Sequence, residues 1–260
     1  MPAWTFLIDA LAEVGDAVFP RRCFVCGAGA AEATRTLACR AHALPSAPSG
    51  PRCGVCAAAL PEMLPDGYRC ARCRRAGPGV RRVVALADYR RQPAVRDWIL
   101  ALKHGGRRDL GLPLGRALAR RLLASDPAVP GEDPAAPGGD APEEGVVVPV
   151  PLHPLRRMER GYDQALLLAR GVAAELGCAC VRALRRRRLT PPQGAPGASS
   201  RSANVRGAFA AVRAARRLAG RHVWLVDDVV TSGATVAECA RELRRAGART
   251  VSALCVARAG

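Results

Sequence analysis

Lysine is almost missing from this 260-residue chain: Lys103 is the only one among 40 basic residues. Acids are also scarce, 22 in all, so the formal net charge is +18 and arginine carries nearly all of it. An arginine excess suits polyanionic partners, a nucleic acid or a pyrophosphate, although a general Ala/Gly/Pro/Arg composition bias accounts for it equally well. No run is long and apolar enough to span a membrane, which argues against membrane insertion. The N-terminus is not read as a signal peptide, because Asp9, Glu13 and Asp16 interrupt its apolar residues. Trp4, Leu7, Ile8, Leu11, Val14 and Val18 fall at helical spacing, so residues 1–20 are expected to form one amphipathic helix ended by Pro20. A cytoplasmic location follows, where disulfides are rare. With 49% hydrophobic residues, the chain has enough for one substantial core and a smaller appendage.

The most informative stretch is HVWLVDDVVTSGAT, residues 222–235. Residues 223–226 are apolar and partly β-branched, which predicts a buried strand stopped by Asp227 and Asp228. Thr231, Ser232, Gly233, Ala234 and Thr235 follow, small and mostly hydroxylated. Residues 236–246 then read as a helix closed by Gly247. Strand, two carboxylates, small polar loop and helix N-terminus come in that order. Such a loop aims backbone N–H groups and a positive helix dipole at one point, which suits a phosphate. Carboxylates beside an anion site suit ribose hydroxyls or a bound Mg²⁺, both of which reward acceptor oxygens.

This stretch resembles the phosphoribosyl diphosphate (PRPP) motif of type I phosphoribosyltransferases: aliphatic residues, two acids, a spacer, then Thr-Ser-Gly. The resemblance implies that Asp227 and Asp228 hold the ribose and that Thr231 to Thr235 hold the 5′-phosphate.

Eight ligand-type residues lie nearer the N-terminus, in pairs. Cys23-x₂-Cys26 is followed after twelve residues by Cys39-x₂-His42, and Cys53-x₂-Cys56 after thirteen by Cys70-x₂-Cys73. Two such knuckles make a closed tetrahedral structural zinc site, so residues 21–79 are read as a double zinc ribbon with two zinc ions. The pairing of the repeats stays open, and His42 is the weakest ligand. Large apolar residues are few there, so the segment needs metal to hold a fold.

From Arg81 the character changes. Residues 82–89 read as a strand and 93–103 as a helix presenting Val95, Trp98, Ile99 and Leu102 on one face. KHGGRR, from Lys103, is a basic glycine turn that suits a pyrophosphate or simply ends a helix. Residues 110–123 return to helical spacing. Residues 125–145 are rich in Pro, Gly, Ala and acids and read as a disordered insert. Residues 146–150 form a strand, and 162–176 a helix. Residues 185–205 read as an irregular, flexible hood, and 250–256 as an edge strand. Cys178, Cys180, Cys239 and Cys255 lack CxxC spacing and read as buried small apolar residues.

VPVPLH at 148–153 and RGYDQ at 160–164, together with the motifs above, resemble the ComF family of competence-associated proteins. Asp163 stands where that family carries Asn, and His42 where Cys is commoner. The resemblance implies an α/β fold, doubly wound with a mostly parallel sheet over residues 80–260, behind a zinc-ribbon head. It implies PRPP with Mg²⁺ as ligand, an unidentified acceptor, and a link to DNA uptake. Lys103, Arg107, Arg156 and Arg160 would steady the leaving pyrophosphate by charge. Two other classes stay open: a nucleic-acid-binding protein contacting single-stranded DNA or the uptake machinery, and a PRPP sensor without turnover.

Overall fold

The computed structural model describes residues 23, 50–76, 79–125, 144–188 and 205–259. The chain divides into two compact units, residues 1–46 and 47–260. Cys23, described within the first, is buried. The amphipathic helix expected over 1–20, the ligands Cys26, Cys39 and His42, most of the insert and hood residues 189–204 lie outside the described residues.

The second unit begins with a cysteine knuckle and a short helix α1 (Ala71–Ala76). Strand β1 (Val83–Asp88) follows, then helices α2 (Pro93–His104) and α3 (Gly111–Leu123). Next come β2 (Val146–Pro149), α4 (Pro154–Arg160), α5 (Gln164–Leu176) and β3 (Ala179–Cys180). A hairpin of β4 (Leu184–Arg186) and β5 (Phe209–Ala211) precedes β6 (His222–Val230), α6 (Ala234–Arg245) and β7 (Thr250–Arg258). Five strands form one sheet in the order β1-β7-β6-β2-β3, every pair parallel. Helices α3 and α5 pack together and lie on one side. Helix α6 brings Val236, Cys239, Ala240 and Leu243 into a core shared with the hairpin and with Val146, Val148, Val223 and Leu225 of the sheet. The fold is therefore α/β and doubly wound, as expected.

The apolar face expected on α2 is the buried one: Val95, Trp98, Ile99 and Leu102. The structure corrects other expectations. Thr250–Arg258 is not an edge strand; it lies between β1 and β6, and its burial on both faces is what a central parallel strand needs. Strand β6 does not stop at the acids. Asp227, Val229 and Val230 keep pairing with Cys255, Ala257 and Arg258, because the ladder bonds use backbone and tolerate a carboxylate facing a cleft. The hood is not irregular from its start, since Arg185 and Arg186 pair with Ala210 and Phe209.

Helices α3 and α5 meet at Gly115 and Gly171. A Cβ on Gly171 would sit 2.3 Å from the Leu112 carbonyl oxygen and 3.0 Å from Gly115 Cα. Only hydrogen fits there. Gly171→Ala is expected to force the helices apart, and overpacking of this kind costs about 1–3 kcal/mol. Tm should fall by roughly 2–4 °C per kcal/mol in thermal melts; an unchanged Tm would show that the crossing adjusts freely.

Candidate functional site

Adjacent strands β2 and β6 send their connections to opposite faces, β2 into α5 and β6 into α6. That divergence opens a crevice at the carboxyl ends of the strands, where ligands of such sheets bind. The crevice is a cleft of about 350 Å³. One wall is the turn after β2, Val150 to Leu152, with Arg156 and Arg160 of α4 and Gln164 of α5. The other is Asp227 to Val236, with Lys103 and Arg186 closing the ends.

The β6–α6 loop runs along the cleft into the N-terminus of α6. Gly233 takes a left-handed conformation (φ 77°), which turns the chain into α6 without a Cβ penalty. The first amides of α6 have no intrahelical acceptors, and the residues that carry them line the cleft. Ser232 Oγ accepts from Ala234 N at 3.3 Å. Thr231, Ser232, Gly233, Ala234 and Thr235 all line the cleft.

The two acids differ. Asp228 is buried and held: Lys103 Nζ lies 2.9 Å from its Oδ1, and Gln164 Nε2 donates to its Oδ2 at 3.0 Å. Lys103 is placed by the end of α2, whose Leu102 carbonyl accepts from the Tyr162 hydroxyl at 2.6 Å. Asp227 keeps some contact with the cleft, and its Oδ1 accepts from Asp228 N at 2.8 Å. Burial pushes the Asp227 carboxyl up to about 8, the neighbouring Asp228 charge adds to this, and Lys103 and Arg186 pull the other way.

Facing the acids are arginines. Arg160 Nη1 is buried and has no hydrogen-bond partner among the described residues, and the same holds for Gln164 Oε1. An unmet donor and an unmet acceptor in one cleft fit a ligand carrying both anionic oxygens and hydroxyls. Arg186 packs its guanidinium over the Phe209 ring at 5.4 Å, a cation held on an apolar plate.

Arg107 is not brought to the cleft. Its guanidinium reaches Asp109 instead, Nη2 to Oδ2 at 2.8 Å, because the glycine turn carries it past the end of α2. Lys103 lines the cleft but pairs with Asp228 rather than standing open to an anion. Arg186 and Gln164 were not assigned from sequence. Gln164 stood inside RGYDQ without a role, and Arg186 was one of four successive arginines. Strand alternation separates it from Arg185 and Arg187, which point outward and are exposed. Asp163 gains a role too: it caps α5, accepting from Leu166 N at 3.2 Å.

A second constellation lies in the knuckle. The Sγ atoms of Cys53, Cys56, Cys70 and Cys73 all lie within 4.8 Å of one another, a set that could hold a metal ion. Cys56 Sγ and Cys70 Sγ are 3.8 Å apart. That is the edge of a tetrahedron around an ion with metal–sulfur bonds of about 2.3 Å. Backbone N–H groups of Cys70 and Cys73 donate to Cys53 Sγ and Cys70 Sγ. Burial opposes ionisation of Cys53, but amide donation overrides it and draws the thiol down to about 7. Burial and the nearby sulfurs push Cys56 and Cys73 up.

Sheet, cleft and loop define the class: residues 163–260 match the family described as phosphoribosyl transferase domain. A phosphoribosyl transferase domain implies PRPP binding. The chain is 34% identical over 188 residues to the DNA utilization protein YhgH of Escherichia coli (strain K12), covering 72% of this chain and 76% of that protein. The same identity and coverage hold for the YhgH protein of Salmonella typhi. Competence protein F of Haemophilus influenzae is 33% identical over 114 residues, 44% of this chain and 50% of that one. The chain belongs to the ComF/YhgH family. Among solved structures it is similar to the allosteric regulatory enzyme of purine biosynthesis (22% identity, TM-score 0.33, 56% of this chain). It is similar also to glutamine PRPP amidotransferase from B. subtilis (24% identity, TM-score 0.33, 55% of this chain). It spans about a quarter of each, 25% of that chain in both cases.

No helix among the described residues is long and apolar enough to cross a membrane.

Proposed function

We propose that the cleft binds PRPP and that the protein transfers its phosphoribosyl group to an acceptor, in a role connected with DNA utilization or competence. The observation that carries this is the pair Asp227 and Asp228 beside the loop from Thr231 to Thr235, with Arg156, Arg160 and Arg186 lining the same cleft. The loop amides hold the 5′-phosphate. Asp227 and Asp228 accept from the ribose hydroxyls. The arginines face the diphosphate. Lys103, now on Asp228, is within the same cleft and adds its charge to that end. In the reaction the bond from ribose C1 to the diphosphate oxygen breaks and a bond from C1 to the acceptor atom forms. Pyrophosphate leaves with the electron pair, and the acceptor loses a proton to solvent. Mg²⁺, when bound with PRPP, neutralises part of the diphosphate charge.

The four-cysteine cluster is read as a structural zinc site, and the similarly spaced Cys23, Cys26, Cys39 and His42 as a second. A cytoplasmic location belongs to the same reading. The net charge of +18 supports a second reading, direct contact with single-stranded DNA.

Pyrophosphate release from Mg²⁺·PRPP, screened over candidate acceptors, tests the transfer. Arg156→Gln with Arg160→Gln should lower PRPP affinity about tenfold or more, since hydrogen bonds to charged groups contribute roughly 1.5–3 kcal/mol. PRPP binding without release under any acceptor would make the protein a sensor. Steeply salt-dependent DNA binding together with indifference to PRPP would favour the nucleic-acid reading.

A further inference from the structure

Arg258, at the end of β7, is 3% exposed and has no carboxylate partner among the described residues. A buried guanidinium without a counter-charge is costly unless dipoles replace water around it. Here every donation goes to backbone carbonyls. Nε donates to Cys56 O at 2.8 Å. Nη1 donates to Val230 O at 2.9 Å, to Ala259 O at 2.8 Å and to Thr231 O.

These acceptors belong to two sites. Cys56 places its sulfur in the four-cysteine cluster, and Val230 and Thr231 open the anion loop. One rigid, planar group therefore spans the carbonyl of a cluster residue and the first carbonyls of the loop. A guanidinium transmits a displacement at one edge to the other, where a flexible ammonium would rotate. The knuckle is held on its two sides as well: Val55 O accepts from Val83 N at 2.8 Å, and Ala57 O from Arg52 Nη1 at 3.1 Å. Ala57 turns the knuckle in a left-handed conformation (φ 55°), uncommon for a residue with a Cβ and kept only while its surroundings hold it.

We propose that Arg258 is a positioning residue that couples metal occupancy of the four-cysteine cluster to the order of residues 230–235, and so to affinity for a phosphorylated sugar. The affinity part rests on the PRPP reading of the cleft; the ordering part does not. With a metal bound, Cys56 is fixed and Arg258 pins the loop. Without it, the Cys56 carbonyl wanders and the loop amides lose their alignment.

Hydrogen exchange and PRPP calorimetry on the full chain, metal-loaded and chelator-stripped, test this. Amides 230–235 should exchange about tenfold or more faster after stripping, while those of β2 stay protected. The Kd for Mg²⁺·PRPP, measured with Mg²⁺ restored in excess, should rise about tenfold. In Arg258→Met the loop should already exchange fast and bind weakly, and stripping should add less than about twofold. Arg258→Lys keeps the charge but cannot span both carbonyls, so it should behave like Arg258→Met. If Arg258→Met does not fold, Arg258→Lys and the wild-type pair decide. An unmoved wild-type loop on stripping, or a full response in the Arg258 variants, overturns the proposal. If holo wild type ignores PRPP, the reading of the cleft has failed, and the exchange arm still decides the coupling.

Discussion

Cys70→Ser is expected to release one zinc ion and to open residues 50–76 to trypsin, while the sheet domain keeps its fold. The knuckle's own apolar cluster is Cys53, Val55, Cys56 and Leu60, with Ala58, Leu64 and Tyr68 packed on it. So small a cluster does not order the segment alone. Metal binding must then supply folding free energy, and apparent values for structural zinc in finger peptides are about 10–16 kcal/mol. Losing one thiolate of four leaves an open, weak site. Arg69, Arg72, Arg74 and Arg75, exposed but held in or beside α1, then become cleavage points. Elemental analysis of wild type should find about two zinc ions per chain, one for each four-ligand set. Cys26→Ser should remove the other. A wild-type content near one would leave His42 out of the ligand set. A content of zero in protein purified without chelator would end the zinc reading.

The legible parts of this chain are those where one local pattern decides the outcome. Helix α2 showed its face because Val95, Trp98, Ile99 and Leu102 repeat at helical spacing and all four are buried. The pairs Cys53/Cys56 and Cys70/Cys73 were legible because CxxC spacing suits metal ligation, and their four Sγ atoms lie within 4.8 Å of one another. Helix α4 was not read as a helix because it buries none of its residues; it is set by Pro154 in its first turn and by the His153 ring accepting from Leu155 N. Strand β6 was read four residues short at its carboxyl end because carboxylates end an apolar run in sequence, yet its ladder with β7 continues to Val230. Of the cleft, the loop and acids were legible as one continuous motif. The partners that hold Asp228 were not, since Lys103 and Gln164 come from distant helices. Arg258 carried no local signal at all. Its role comes from a contact with Cys56, 202 positions away in sequence.

The largest effect at the cleft is expected from the acids. Mg²⁺·PRPP at a hundredfold excess over Kd stabilises a protein by roughly 2.7 kcal/mol. At about 2–4 °C per kcal/mol, wild-type Tm should rise on the order of 5–10 °C. Asp227→Asn keeps the shape and removes the ionised form that the ribose hydroxyls require, so affinity should fall about tenfold to a hundredfold. The double change with Asp228→Asn should abolish most of the shift, because Lys103 then loses its partner and swings without a fixed position. The pH dependence gives a second readout. The Asp227 carboxyl is raised to about 8 by burial and by Asp228. A raised carboxyl favours the neutral form in the fold, so its contribution to stability is full below the ordinary aspartate value and is lost as pH rises through about 8. A ligand whose hydroxyls donate to this carboxyl requires the ionised form instead. PRPP affinity should therefore climb between pH 6.5 and about 8, by up to about tenfold per unit, and then level off. In Asp227→Asn that slope should flatten. A wild-type Tm indifferent to millimolar Mg²⁺·PRPP, or a double variant that shifts as far as wild type, would take the ribose away from these acids.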